Sequence, residues 1–346
     1  MTTLWGESEI IEQVMQASGR AIRPVCEACE IKPGGYSQGL RAAAVDFGAE
    51  NSFEKAAQRL RLHHGVTLSP STLREMTLQA GAAAQKLNTR QNHAAALPAR
   101  GADCVEVQTD GTMLPMLGFK PGQGDRRKLR QCHWEEQRLC VARAHGSATA
   151  RYACNRGDLV QLGRDWSHCA AQAGRGLNTR IHAVADGAEW IARKVPETFG
   201  PETRLLVDYC HASDYLAAVA KLHPALAPRP GWLRTQQRRL KKGRYREVIR
   251  TLARLIERPG QPDELSPARN AHRYLANRTG QLWYDEAIEA GLPIGSGLVE
   301  ASHRHVLQAR LKGSGVWWLP ENADKLSHLR VLRANGQFDE LFPLAA

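Results

Sequence analysis

The sequence predicts a mixed α/β protein: a five-stranded sheet flanked by helices, preceded by a helical region and interrupted by an all-helical insertion. Three observations predict it. The first hundred residues carry apolar residues at helical spacing between recognisable caps. From residue 102 short apolar runs alternate with helical stretches, in the order strand, strand, strand, helix, strand, helix, strand. The stretch from 217 to 290 then returns to a helical period and is densely basic.

A chain of 346 residues with 42% hydrophobic content can bury a real core and exceeds one average domain. Its 47 Lys and Arg against 35 Asp and Glu leave a net charge of +12, which favours a polyanionic partner, with nucleic acid foremost. No run reaches the ~18 apolar residues of a membrane span, and the start "MTTLWGESEIIEQV" lacks a signal peptide's basic and apolar regions. No membrane association and a cytoplasmic location are expected. The eight cysteines are scattered, and only Cys26 and Cys29 in "CEAC" have metal-like spacing. Zinc is not expected there, because a structural site takes four ligands and no second pair follows.

In the N-terminal region, "SFEKAAQRLRLHHG" puts Phe53, Ala56, Ala57 and Leu60 on one helical face and closes on Gly65. "LSPSTLREMTLQAG" follows with Ser69 as N-cap, Pro70 at the first helical position and Leu73, Met76 and Ala80 as a buried stripe. Residues 52–81 thus resemble a helix-turn-helix presenting Ser71, Arg74, Glu75 and Gln79, although any helical hairpin has the same pattern. The segment from Gly81 to Asp103 reads as an exit and linker.

The strands begin with "CVEVQTDGTML", which delivers Asp110 before Gly111. Two strand-like pieces are expected around 128–134 and 138–145, then a helix bearing Leu159, Leu162, Trp166 and Ala170 that stops at Gly174. A fourth strand ends at Asp186 and a helix starts near Trp190. "LLVDYCHASDYL" supplies the fifth strand, ending at Asp208, with His211 three residues on.

A three-stranded meander followed by right-handed parallel crossovers sets the first and fourth strands side by side, so Asp110 and Asp186 should be neighbours. Each alone could be a simple Asp-Gly turn. Together, two close carboxylates repel unless a proton or cation lies between them, and hard oxygens favour Mg²⁺ or Mn²⁺. Asp208 also ends a strand and is an alternative to Asp186, but the fifth strand is not the first strand's neighbour. A further carboxylate comes from "PIGSGLVEASHRHVLQARLKGSGVWW", where Ser296 can cap a helix carrying Glu300 in its first turns.

Taken in order, "VQTDGT", "VADGAEWI", "LLVDYCHASDYL" and "GSGLVEASHRHVLQARLKGSGVWW" resemble the catalytic domain of bacterial insertion-sequence transposases of the ISKra type, similar in turn to Mutator-like DDE transposases. The likeness runs from about residue 35 to about 342. It implies an RNase H-like fold and a catalytic triad of Asp110, Asp186 and Glu300 holding two Mg²⁺ or Mn²⁺ ions, which in such sites lie about 3.5–4 Å apart. It also implies that Asp208 and His211 form a supporting motif rather than a metal site.

The resemblance implies strand cleavage at the ends of a DNA element and strand transfer into target DNA. Double-stranded DNA, a homo-oligomer on that DNA and a place at the bacterial nucleoid go with it. The organisation expected is a helical region at 1–98, a first catalytic part at 99–216, the insertion at 217–290 and a second catalytic part at 291–346.

Candidate DNA contacts are Arg238, Arg239, Lys241 and Lys242 in the insertion, with Arg234, Arg244 and Arg246 beside them, and Arg304, Arg310 and Lys312 near Trp317 and Trp318. No GxxxxGK[ST] loop calls for a nucleotide. Family members often carry more N-terminal cysteines than this chain, which keeps a second reading open: a truncated, inactive remnant that binds element ends without cutting them. A host nuclease on the same fold is a third, separable by terminal inverted repeats beside the gene.

Overall fold

The computed structural model describes residues 1–17, 20–28, 35–91, 96–223 and 231–343; Cys29, half of the "CEAC" pair, lies outside them. The chain forms two compact units: Met1–His93, Met113–Glu136 and His303–Ala346 make one, and Ala94–Thr112 with Gln137–Ser302 make the other.

The first unit begins with two short antiparallel ribbons, β1 (Thr2–Thr3) with β2 (Gly6–Glu7) and β3 (Met15–Ala17) with β4 (Arg20–Ile22), and a single turn, α1 (Pro24–Ala28). Three helices follow: α2 (Gln38–Glu50), α3 (Phe53–His64) and α4 (Pro70–Gln91). Their starts are written locally. Ser37, Ser52 and Ser69 each accept a backbone N–H three residues on, and Gly65 ends α3 at φ 69°, where a side chain would be strained. Leu60, Leu73 and Met76 are buried, while Ser71, Arg74, Glu75 and Gln79 are exposed. The expected exit at Gly81 is not one. Helix α4 runs on to Gln91, and Gly81 lies inside it as a close-approach point: an added Cβ would meet the Lys325 carbonyl oxygen at 2.6 Å.

The five-stranded sheet has β5 (Cys104–Phe119), β6 (Arg130–Ala144), β7 (Ala150–Asn155), β8 (Arg180–Ala185) and β9 (Leu205–Val207) in the order β7-β6-β5-β8-β9. β5, β8 and β9 are parallel, β6 and β7 antiparallel, an arrangement compatible with an RNase H-like fold. The two pieces expected at 128–134 and 138–145 are one strand, β6. The third strand of the meander is Ala150–Asn155, whose short stretch "ARYACN" has a weak alternating pattern.

Residues of opposite parity serve opposite faces of the sheet in the second unit. Val105, Val107, Ala183 and Ala185 pack with α5 (Leu159–Gln172) and α6 (Glu189–Phe199), where Trp166 meets Phe199 edge-on at 5.0 Å. Cys104, Val184 and Leu206 pack with the helices that interrupt the fold: α7 (Tyr209–Leu222), α8 (Trp232–Lys241), α9 (Tyr245–Ala253), α10 (Pro267–Ala276) and α11 (Tyr284–Glu289). Asp110, Asp186 and Asp208 share the parity of this second set.

The chain then enters α12 (Gly297–Ser302), loosens into a π-helical turn at His303–Gln308, and passes α13 (Ala309–Leu311), α14 (Pro320–Ala334) and a short 3-10 turn at Phe338–Glu340. Among the described residues no helix is long and apolar enough to cross a membrane.

Candidate active site on three adjacent parallel strands

The register places the three aspartates. Gln108 pairs with Val184, so Asp110 and Asp186 each lie two residues beyond a paired position; Ala185 pairs with Val207, so Asp186 and Asp208 each lie one beyond. Asp110, Asp186 and Asp208 therefore stand level on adjacent parallel strands, with roughly 5 Å between neighbours. Asp110 and Asp186 are half-buried, and Asp208 is 2% exposed.

The carboxylates differ in what holds them. Asp110 Oδ1 accepts from Gly111 N at 2.7 Å, and Asp186 Oδ1 from Ala188 N at 2.8 Å. Asp208 is more heavily engaged. Its Oδ1 accepts from His211 N (2.9 Å), and its Oδ2 accepts from both Ser296 N and Ser296 Oγ (2.5 Å each). The Asp-x-x-His spacing is thus a helix start: Asp208 caps α7, and what it binds is the backbone of His211. The His211 ring is exposed, 6.3 Å from the rings of Tyr215 and Tyr274.

Glu300 arrives on a segment stitched to β8, α7 and β5. His182 Nε2 donates to the Pro293 carbonyl (2.7 Å) and Tyr209 N to that of Ile294 (2.9 Å). The buried Gln108 amide bridges the segment, donating to Gly295 O (3.3 Å) and accepting from Val299 N (2.9 Å). Burial holds the His182 imidazole below the usual histidine range, which suits a neutral ring donating to a carbonyl. Ser296 was expected to cap the Glu300 helix with its side chain. Its hydroxyl instead lies 2.5 Å from Asp208 Oδ2 and 3.3 Å from Glu300 Oε1, and its single proton serves the nearer carboxylate. Glu300 itself is exposed.

Among the described residues no three His, Cys, Asp or Glu side chains converge as a ready-made metal site. The carboxylates of Asp110, Asp186 and Glu300 are nonetheless of the hard-oxygen type that suits Mg²⁺ or Mn²⁺.

Three residues that sequence reasoning passed over belong to the site. Gln108 had one signal, a polar side chain on the inward face of an apolar strand. Tyr274 and Arg278 had none: the Tyr274 hydroxyl donates to Asp186 O (2.6 Å) and Arg278 Nε to Gly187 O (3.0 Å).

The basic residues divide. In the second unit Arg238, Lys241 and Lys242 are exposed, with Lys241 Nζ 4.6 Å from the Tyr209 ring centre. Arg239 is half-buried and occupied by Gln236, Thr251 and Glu247. In the first unit Arg304 and Lys312 are exposed, whereas Arg310 departs from the expected DNA-facing set. It is 6% exposed, donates through Nε to Gly48 O (3.2 Å) and lies 4.8 and 4.9 Å from the Phe53 and Trp318 rings. Burial lowers its guanidinium pKa to about 10, and the side chain serves the packing of that unit. Trp318 is buried with it, while Trp317 is exposed.

No family model matches the chain, and no curated protein does. A solved structure similar to it is the Drosophila P element transposase strand transfer complex. Identity is 10%, coverage is 92% of this chain and 82% of that one, and the TM-score is 0.31. A likeness this distant carries no argument about the site.

Proposed function

We propose that this chain is a DDE-class transposase of the bacterial insertion-sequence type, cleaving DNA strands at element ends and joining them to target DNA. The observation that carries the reading is the level placement of Asp110 and Asp186 on neighbouring parallel strands, with the Glu300 helix tied to β5 through Gln108 and to Asp208 through Ser296. The order of the four sequence motifs supports the same reading, and so does the net charge of +12.

Asp110 and Asp186 have the donor chemistry for a divalent ion and stand level on neighbouring strands, with Glu300 as the third carboxylate. When bound, such ions stabilise charge on the attacking and leaving oxygens of a phosphoryl transfer. The protein's own groups divide the remaining work. Asp208, with three donors on its carboxylate, anchors the Ser296 turn; Gln108 anchors Gly295 O and Val299 N on either side of it; exposed Glu300 keeps the freedom to swing toward a substrate phosphate. Exposed Arg238, Lys241 and Lys242, with Arg304 and Lys312, supply cations for DNA phosphates. The duplex is double-stranded element and target DNA, and a homo-oligomer forms on it to process two ends.

The test is Mg²⁺- and Mn²⁺-dependent cleavage of a plasmid carrying the gene's own flanking DNA. Discrete cuts that Asp110→Asn, Asp186→Asn and Glu300→Gln each abolish are the expected result. DNA binding with no cutting under either metal would overturn the enzymatic reading in favour of an inactive remnant. Cutting without end preference would point to a nuclease.

A further inference from the structure

The turn that carries Asp186 is held from outside the sheet. Gly187 adopts φ +81°, and an added Cβ there would meet Arg278 Nε at 2.8 Å and Val207 Cγ2 at 2.9 Å. Both carbonyls of the turn are taken by residues of the helical insertion: Asp186 O by the Tyr274 hydroxyl at 2.6 Å, Gly187 O by Arg278 Nε at 3.0 Å. The two donors brace each other. Arg278 Cζ lies 4.1 Å from the Tyr274 ring centre, and an Arg278 terminal nitrogen donates to Tyr274 O at 3.0 Å. Tyr215 stacks on Tyr274 at 4.1 Å and 19°.

From this geometry we infer that Tyr274 and Arg278 are positioning residues for Asp186. The clamp fixes the backbone from which the Asp186 carboxylate projects, so the helical insertion sets the geometry, and hence the metal affinity, of the site. The inference rests on the proposed reading of Asp186 as a metal ligand. The carboxylate's rotamer is defined only relative to its own backbone, and a two-residue turn whose carbonyls are both held has little freedom to pivot. Burial raises the Tyr274 phenol far above any working pH, so its hydroxyl remains a donor throughout.

Charge separates this role from an electrostatic one. Arg278 is a cation beside a proposed cation site, so by charge alone removing it would tighten metal binding. The clamp demands the opposite sign.

The experiment is Mn²⁺ binding by calorimetry on the full chain without DNA, with thermal unfolding measured in parallel, for the natural protein, Asp186→Asn, Tyr274→Phe and Arg278→Gln. Asp186→Asn is expected to abolish the binding. Tyr274→Phe loses one hydrogen bond and keeps its ring; it is expected to weaken Mn²⁺ binding by about three- to tenfold, the range one net hydrogen bond commands. Arg278→Gln should weaken it similarly. Unchanged Mn²⁺ affinity in Tyr274→Phe, or tighter binding in Arg278→Gln, would overturn the clamp while leaving Asp186 as a ligand. Undiminished binding in Asp186→Asn would remove the metal reading itself, and the clamp with it. Should Tyr274→Phe fail to fold, the sign of the Arg278→Gln change decides alone.

Discussion

Replacing Asp208 by Asn should destabilise the protein far more than replacing Asp186 by Asn. The Asp208 carboxylate is 2% exposed and accepts from three donors: His211 N, Ser296 N and Ser296 Oγ. Asn keeps one oxygen, enough to go on capping α7, since Asn is as good an N-cap as Asp. Its amide nitrogen then faces Ser296 N, donor against donor. The Ser296 hydroxyl can turn to accept, but the buried backbone N–H cannot. Leaving it unpaired costs about 1–3 kcal/mol, and losing charge assistance to His211 N adds under about 1 kcal/mol, a total of about 1–4 kcal/mol. Asp186 is half-buried, and its Oδ1 bond to Ala188 N survives in Asn, so that variant should lose under about 1 kcal/mol. Urea unfolding followed by tryptophan fluorescence reads the difference, up to about 1 M in midpoint if the slope is about 3 kcal/mol/M. Equal midpoints would refute the assignment of Asp208 to the framework.

Other outcomes follow from particular side chains. Gly81→Val should destabilise by about 2–4 kcal/mol, because the new side chain must displace the α14 backbone at Lys325, and a thermal melt shows it. Arg310→Met should lower stability yet leave the salt dependence of DNA binding unchanged, since the guanidinium is buried. Lys241→Ala with Lys242→Ala should instead flatten the log K against log salt slope by about one for each phosphate no longer neutralised; filter binding across salt distinguishes them. Burial pulls the His328 imidazole down to about 4 from 6.5. Its contribution is complete above pH 6.5 and is lost as pH falls towards 4, where the unfolded chain binds a proton that the folded one refuses, an effect of at most about 3 kcal/mol. His328→Gln should flatten that acid slope in melting temperature, and an unchanged slope would show that another group is responsible.

Much of this molecule is written in short range. Ser52, Ser69 and Gly65 punctuate α3 and α4 by bonds spanning three or four residues, and the strands' period of two already assigns Asp110, Asp186 and Asp208 to one face. The order of strands and helices, with the rule that parallel crossovers are right-handed, suffices to make β5 and β8 neighbours. Tertiary structure alone decided what needs a partner distant in the chain. Gln108 meets Val299 across 191 residues and Tyr274 meets Asp186 across 88, and nothing local in either side chain marks those meetings. Gly81 reads as a helix stop in the sequence, whereas in the fold it sits inside α4 because α14 lies close enough to need a residue without Cβ. Arg310 turned inward because Phe53, Trp318 and the Gly48 carbonyl gave its charge a place out of water. Caps and periodicity are properties of a few consecutive residues, whereas burial and pairing belong to whichever surface folding brings opposite, and so the sequence shows the carboxylates while only the fold shows what holds them.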